Sequence, residues 1–574
     1  MPTLAITNFN IVLSVLGGWI SLFGLVSYLM KENFYLSEAL ISLLAGVAFS
    51  PAAANLIKPL EYTLGSEEDL NIVTLSFTRL VLGIQLVLAG VQLPSRYLKK
   101  QWRPLLWFLG PIMTAMWLST ALLIWGLVPG IRFLEALVVG SCVTPTDPVL
   151  SNVIVKGKFA DHNVPKELQD VIIAESGAND GLGYPFLFLG LYLLEVGWGG
   201  GGGGVRGAMG QWFGETWGYT ILLSVVYGAV VGWGANKLLH WAEERKFVDR
   251  ESFLVFAISL ALFIVGTCGM IGSDDVLACF IAGNAFTWDD WFRLETLDDS
   301  LQPTIDMLLN VSVFMWLGAV CPWHEFLVND GVAPLHRLVI LGILVLLFRR
   351  LPWVFAIHKF IPQIEEVRQA IFVGFFGPVG VSAIFYLYIT LEFLKTMEPS
   401  EEVEHLGHVV KVVVWFLAIC SIVVHGLSLP LGKLGFYLPR TLSRGISVTS
   451  DGGEFLPPIR NRMSTLVARR PRRNSGEELP ATEPPSSDAR RSVSRIGGSV
   501  IPSRPVGGEL DVKTIPAGSG GLAMGTDGSS SAVEIDLESP SLPGRTIRFP
   551  DESPAIAGPT SAPGPAGTHN ADSS

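Results

Sequence analysis

Val143-Thr-Pro-Thr-Asp-Pro-Val149 interrupts an apolar run long enough to cross a bilayer. Two prolines, Pro145 and Pro148, bracket one carboxylate, Asp147. Proline removes a backbone donor and breaks the helical ladder. A charge in hydrocarbon is costly. A bilayer accepts unwound backbone and a carboxylate together only where they line a protein cavity or a wet pathway. The stretch therefore predicts a broken membrane helix at a place that handles ions.

The rest of the chain fits that setting. Of 574 residues, 49% are hydrophobic and only 16% charged, and the mean hydropathy is +0.46. Soluble domains carry about 25% charged residues. Apolar runs reach the roughly 20 residues a membrane helix needs. About 13 spans are predicted, at 9–30, 36–57, 72–93, 104–128, 133–156, 168–195, 218–241, 252–271, 275–288, 303–321, 336–360, 367–390 and 409–431. The fold class is an all-α polytopic membrane protein. No basic segment precedes the first span, so no cleaved signal peptide is expected. The five cysteines lie in or beside apolar segments, with no metal or disulfide spacing. The net charge of −11 is spread over loops and tail and points to no nucleic-acid partner.

Lysine and arginine concentrate in the loops after the third, fifth and seventh spans, including Lys99, Lys100, Lys158, Lys166, Arg245 and Lys246. The positive-inside rule puts these loops in the cytoplasm, the N-terminus outside and the C-terminus inside. Gly199–Gly204 lies in a predicted outer loop, 196–217, as a flexible spacer. Residues 1–440 form the membrane domain. Residues 441–574, rich in Ser, Pro, Gly and Arg, cannot bury a core and are expected to be disordered. Arg472-Arg473-Asn474-Ser475 and Arg490-Arg491-Ser492 have the form of basophilic kinase sites on that tail, or of a solvated segment touching an anionic leaflet.

A second motif, Ala174-Glu175-Ser-Gly-Ala-Asn179-Asp180-Gly181, lies in the sixth span. Glu175 and Asn179 share a helix face at i,i+4 spacing, and Asp180 follows directly. Intramembrane carboxylates are functional by default; the alternative is a buried hydrogen-bonded network. Arg79, Arg349 and Arg350 are the intramembrane cations that could partner them. The expected pairing is Glu175 with Arg350, which leaves Asp180 free to titrate. A third motif, Gly374-Phe-Phe-Gly-Pro378-Val-Gly380, predicts a second broken helix in the twelfth span. The breaks then fall in the middle members of spans four to six and eleven to thirteen. Paired interruptions of this kind mark inverted-repeat transporters with two crossing unwound helices. Asp147 would offset the positive half-helix ends. Asp274 and Asp275 read either as a helix cap or as an acidic outer mouth. Asp306 and Asn310, i,i+4 in the tenth span, read as weaker cation-site candidates or as a bridge between helices. His425 reads as a packed histidine or a pH-sensitive one.

Thr144-Pro-Thr-Asp147-Pro, Glu175-Ser-Gly-Ala-Asn-Asp180-Gly, Asp274-Asp-Val-Leu-Ala-Cys-Phe-Ile-Ala-Gly-Asn284, Arg349-Arg-Leu-Pro352, Phe376-Gly-Pro-Val-Gly-Val381 and Val424-His-Gly-Leu-Ser428 resemble the fungal plasma-membrane Na⁺/H⁺ antiporters of the monovalent cation:proton antiporter superfamily. The resemblance covers roughly residues 1–445. It implies a homodimer in the plasma membrane, with a dimerisation part and a mobile core. It implies a secondary active transporter rather than an enzyme, without cofactor, that exports Na⁺, Li⁺ and often K⁺ against inward protons. In that pattern Asp180 binds the ion (Na⁺) beside Asn179, Asp147 sits in the unwound helix, and the pair Asp274-Asp275 is functional. A proton and a cation would compete for Asp180, with Asp147 as a second acidic ligand and Thr146 and backbone carbonyls replacing hydration oxygens. Asn179-Asp180 has one carboxylate fewer than a double-aspartate site, which suggests electroneutral exchange, unless Asp147, Asp274 or Asp275 supplies a further proton. A channel would use similar polar residues. An intramembrane aspartyl protease would need a Gly-x-Gly-Asp pattern, which Ala178-Asn-Asp180-Gly does not supply.

Overall fold

A computed structural model describes residues 8–447 apart from 31–33, 35, 157–159, 161–162, 199–202 and 330, together with 493–496 and 499–502. For 431–447 it gives the backbone course. The chain is built from helices: α1 (Asn8–Tyr28), α2 (Glu38–Phe49), α3 (Glu67–Gln92), α4 (Trp102–Leu127), α5a (Phe133–Cys142), α5b (Pro148–Val155), α6a (Lys166–Gly181), α6b (Tyr184–Gly197), α7 (Gly204–Glu244), α8 (Arg250–Ile271), α9 (Asp275–Phe286), α10 (Leu301–Val320), α11a (Leu335–Phe348), α11b (Leu351–Ile357), α12a (Val367–Phe375), α12b (Val381–Lys395) and α13 (Glu401–Ser447). Among the described residues, 8 helices are long and apolar enough to cross a membrane. The predicted tail, 441–574, lies outside the described residues beyond the end of α13, except for a short antiparallel pair, Val493–Ile496 with Ser499–Pro502. The kinase-type motifs lie outside them too.

Predicted boundaries change in several places: α2 stops at Phe49 rather than 57, α13 starts at Glu401 rather than 409, and three further changes have local causes. The predicted outer loop 196–217 is helical from Gly204 onward, because Gly203 and Gly204 end the glycine run at positive φ and α7 starts there. Its first turns carry Gly204, Gly207 and Gly210 beside Arg206 and Gln211, which hides a helix from a hydropathy reading. The predicted single span 168–195 is two helices. Pro185 has no N–H for the Gly181 carbonyl, and the Tyr386 hydroxyl serves that carbonyl instead, at 3.2 Å. The span 336–360 also breaks, at Arg349-Arg350, where Pro352 leaves the Phe348 carbonyl without its helical donor.

The helices pack in two groups. α4, α5 and α6 adjoin one another, as do α11, α12 and α13; α2, α3 and α7–α10 form the other group. Within the second group, backbones approach closely where side chains are minimal. Gly46 on α2 lies against the Met315 carbonyl, and Gly318 on α10 against the Leu43 carbonyl, so neither site admits a Cβ.

The two predicted breaks meet. The Asp147 N–H donates to the Pro378 carbonyl at 2.9 Å, so the unwound segments 143–147 and 376–380 cross in contact. Each half-helix leaves unsatisfied backbone groups at the crossing. Arg349 collects those of both C-terminal ends. Its Nη1 donates to the carbonyls of Val143 (2.6 Å), Thr144 (2.9 Å) and Pro145 (3.4 Å), and its Nη2 to that of Gly377. The side chain is 3% exposed. A fork of fixed N–H vectors reaches carbonyls on two helices; a lysine ammonium cannot. Arg349→Lys is therefore expected to lower the heat-denaturation midpoint of the purified protein, at about 1–3 kcal/mol for each carbonyl left without a donor. A variant as stable as the wild type would show that the fork does not hold the crossing.

Candidate functional site

Asp147 does at the N-terminal ends what Arg349 does at the C-terminal ends. Asp-Pro here is an N-cap followed by proline at the first helical position, a pairing that starts helices. Asp147 Oδ1 accepts from the N–H groups of Val149 (2.7 Å) and Leu150 (3.2 Å) on α5b. Its Oδ2 accepts from the Val381 N–H, the first of α12b. One carboxylate thus caps both half-helices whose positive ends face the crossing. A Cβ on Gly380 would meet that carboxylate, which explains glycine before Val381.

The Asn179 side chain clips α6a to the unwound segment. It accepts from the Thr146 N–H at 3.1 Å and donates to the Thr146 hydroxyl at 2.7 Å, which also shares a hydrogen bond of 3.2 Å with Ser176. Glu175, one turn back, meets Arg350 in a bidentate pair: Nη2 to Oε2 at 2.7 Å, and Nη1 to Oε1. Arg350 also donates to the Val373 carbonyl on α12a at 3.1 Å. The pairing expected from the sequence is thus present, and it ties α6a to α12a through the break in α11. Both residues are buried, so removing either leaves an uncompensated charge.

Asp180 differs from its neighbours. It is fully buried, and among the described residues neither carboxylate oxygen has a hydrogen-bond partner. Asp147 and Asp274 are the acidic groups that act on it, and Ser382 faces it from α12b. The Tyr386 hydroxyl donates to the Asp180 carbonyl and fixes α12b against α6a. An unpartnered buried carboxylate is costly as a bare anion. It needs a proton or a cation.

Asp274 and Asp275 are buried rather than exposed at a mouth. Asp274 caps α9 through the Leu277 N–H at 3.0 Å. Asp275 pairs with Arg79 on α3, Oδ2 to Nε at 2.6 Å. Asn310 accepts from Gln85, and Asp306 pairs with Lys156 at 3.1 Å, so both bridge helices. Gln85, Lys156 and Asp306 line a cleft that reaches Pro148 and Ser151 at the start of α5b. His425 is buried, its Nε2 3.0 Å from the Phe375 carbonyl and its Nδ1 2.9 Å from the Ser421 carbonyl. It joins α13 to the end of α12a. Sequence reasoning missed the parts of Arg349, Ser382 and Tyr386. Two adjacent arginines facing one expected partner were the available signal for the first.

Residues 19–431 match the family described as sodium/hydrogen exchanger, transmembrane. The chain belongs to that family. Among exchanger relatives, a protein named as a probable Na⁺/H⁺ antiporter of Schizosaccharomyces pombe is 36% identical over 86% of this chain and 63% of its own length. The Na⁺/H⁺ antiporter 2 of Zygosaccharomyces rouxii is 36% identical over 76% of this chain and 54% of its own. The chain thus spans roughly half to two-thirds of the length of these curated relatives. A sodium proton antiporter of Methanocaldococcus jannaschii shares the fold, with a TM-score of 0.52 and 16% identity, over 73% of this chain and all of that one.

The geometry separates the two aspartates. Asp147→Asn replaces one acceptor oxygen with an NH₂ group that opposes backbone N–H donors. Charge-assisted hydrogen bonds contribute about 1.5–3 kcal/mol each, so this variant should unfold at a clearly lower temperature. Asp180→Asn removes an unpartnered charge and should unfold at the wild-type temperature or above. The reverse order in a thermal scan would contradict the division.

Proposed function

We propose that this chain is a secondary active antiporter that exports Na⁺ in exchange for protons by alternating access. The carrying observation is Asp180, a carboxylate with both oxygens unpartnered beside the crossing of a sodium/hydrogen exchanger fold. A proton or a Na⁺ ion can neutralise it, but not both at once. Deprotonated from the cytoplasm, Asp180 takes the cation. Facing an acidic exterior, it takes a proton and releases the cation. The crossing moves as one piece because Arg349, Asp147 and the Glu175–Arg350 pair fasten its half-helices together. The Lys156–Asp306 cleft lies between that piece and α10.

In this reading Asp147 and Asn179 hold the site's shape, and Asp274 and Asp275 support α9 from inside the membrane domain. Exchange is one for one, in keeping with a single unpartnered carboxylate. One pH unit is worth about 1.36 kcal/mol and then sustains at most a roughly tenfold cation gradient. Li⁺ and K⁺ are further substrates. The protein works as a homodimer in the plasma membrane, with residues 1–440 as the exchanger and 441–574 as a cytoplasmic tail open to kinases. Its role is salt tolerance and cation and pH homeostasis.

The test is exchange in proteoliposomes carrying purified full chain. Adding Na⁺ outside vesicles with an acidic lumen should dequench a trapped pH dye. Asp180→Asn, inserted to the same level, should give no response. Wild-type exchange by that variant would remove Asp180 from the mechanism, and a silent wild type would remove the exchange reading.

A further inference from the structure

Ser382 is the second residue of α12b. Its backbone adjoins the Asp147 cap, because the preceding Val381 N–H donates to Asp147. Its side chain is 1% exposed, and among the described residues its hydroxyl oxygen has no hydrogen-bond partner. The hydroxyl faces Asp180 without meeting it in a hydrogen bond of ordinary geometry. Buried polar groups are nearly always bonded, and those that are not call for an explanation. Here two of them, a hydroxyl and a carboxylate, lie next to each other on different helices.

Their placement is built. Tyr386 lies four residues beyond Ser382 and therefore on the same face of α12b. Its hydroxyl donates to the Asp180 and Gly181 carbonyls. That contact sets the register of α12b against α6a and holds Ser382 opposite the carboxylate. The other hydroxyls and amides nearby are engaged. Asn179 spends its amide on Thr146, and Thr146 and Ser176 bond each other. Among the described residues Ser382 faces Asp180 with a hydroxyl that bonds no other group.

We propose that Ser382 supplies a hydroxyl oxygen ligand to the cation held at Asp180, and so helps set affinity and the choice among Na⁺, Li⁺ and K⁺. Hard cations take oxygen ligands, and a serine hydroxyl has two lone pairs and a rotatable proton. With a cation present the lone pairs face the ion. With Asp180 protonated the same oxygen accepts the carboxylic acid hydrogen. The hydroxyl therefore serves both loaded states, and the ion site includes α12b as well as α6a. This rests on Asp180 being the exchanging carboxylate.

The test measures cation-dependent stability of the purified full chain at alkaline pH, in NaCl against choline chloride at equal ionic strength. A ligand that binds only the folded state raises its stability with concentration. Wild type should gain stability with Na⁺, and Asp180→Asn should not. Ser382→Ala should remain folded in choline, since among the described residues its hydroxyl serves no group other than Asp180. It should need about tenfold more Na⁺ for the same gain, a loss of about 1.4 kcal/mol in binding. Ser382→Cys, nearly the same size but with a soft sulfur, should behave like Ser382→Ala. If Ser382→Ala and Ser382→Cys respond at wild-type Na⁺ concentrations while Asp180→Asn stays silent, the hydroxyl is not a ligand and the inference falls alone. If Asp180→Asn responds as wild type does, the exchange reading falls with it.

Discussion

Four helix ends meet inside the bilayer, and the structure depends on how they are neutralised. Where α5 and α12 break, backbone groups that water would otherwise satisfy are left in a buried crossing. Two side chains each serve both breaks. Arg349 gathers carbonyls from the ends of α5a and α12a, and Asp147 gathers N–H groups from the starts of α5b and α12b. A positive charge thus sits at two negative dipole ends and a negative charge at two positive ones. The crossing carries no net charge of its own and is fastened in both directions. A unit of that kind can move through a bilayer without exposing backbone to lipid.

That balance gives Asp180 its place. Asp147, Glu175 and Asp275 each have counter-charges or backbone donors. Asp180 has neither among the described residues. The surrounding fold bonds Asp147, Glu175 and Asn179 and leaves both oxygens of this carboxylate without a partner among the described residues. Clamping around it is correspondingly firm. Asn179 holds the unwound segment, Tyr386 holds α12b, and Glu175–Arg350 closes the far side. A site of fixed shape with one unsatisfied charge makes proton and cation alternatives to each other.

Much of this was legible in the sequence, for identifiable reasons. Thr-Pro-Thr-Asp-Pro and Gly-Pro-Val-Gly announce broken helices because proline cannot donate and glycine permits close approach. Glu175 and Arg350 were paired because charges in a membrane must find partners. Other features depend on tertiary placement. Nothing local distinguishes the Ser382 hydroxyl from one bonded to its own helix. The break at Gly183 was hidden because Pro185 inside an apolar run is common in membrane helices, and only Tyr386, 201 residues beyond Pro185, reveals how the freed carbonyl is satisfied. The length of α7 was missed because glycine recurs through its first turns beside Arg206 and Gln211, so hydropathy placed them in a loop. Asp274 and Asp275 allowed two readings, and their burial against α3 and at the start of α9 could not be read from spacing.

The central claim is that proton and Na⁺ compete for one group. The most direct measurement is the pH dependence of exchange kinetics in oriented proteoliposomes, with apparent KM for Na⁺ and maximal rate determined separately at each pH. Competition at a single carboxylate predicts that, on the acidic side of its titration, each unit of acidification raises apparent KM about tenfold while the maximal rate holds. A constant KM with a maximal rate that falls on acidification would show that the proton acts elsewhere, and would contradict the account.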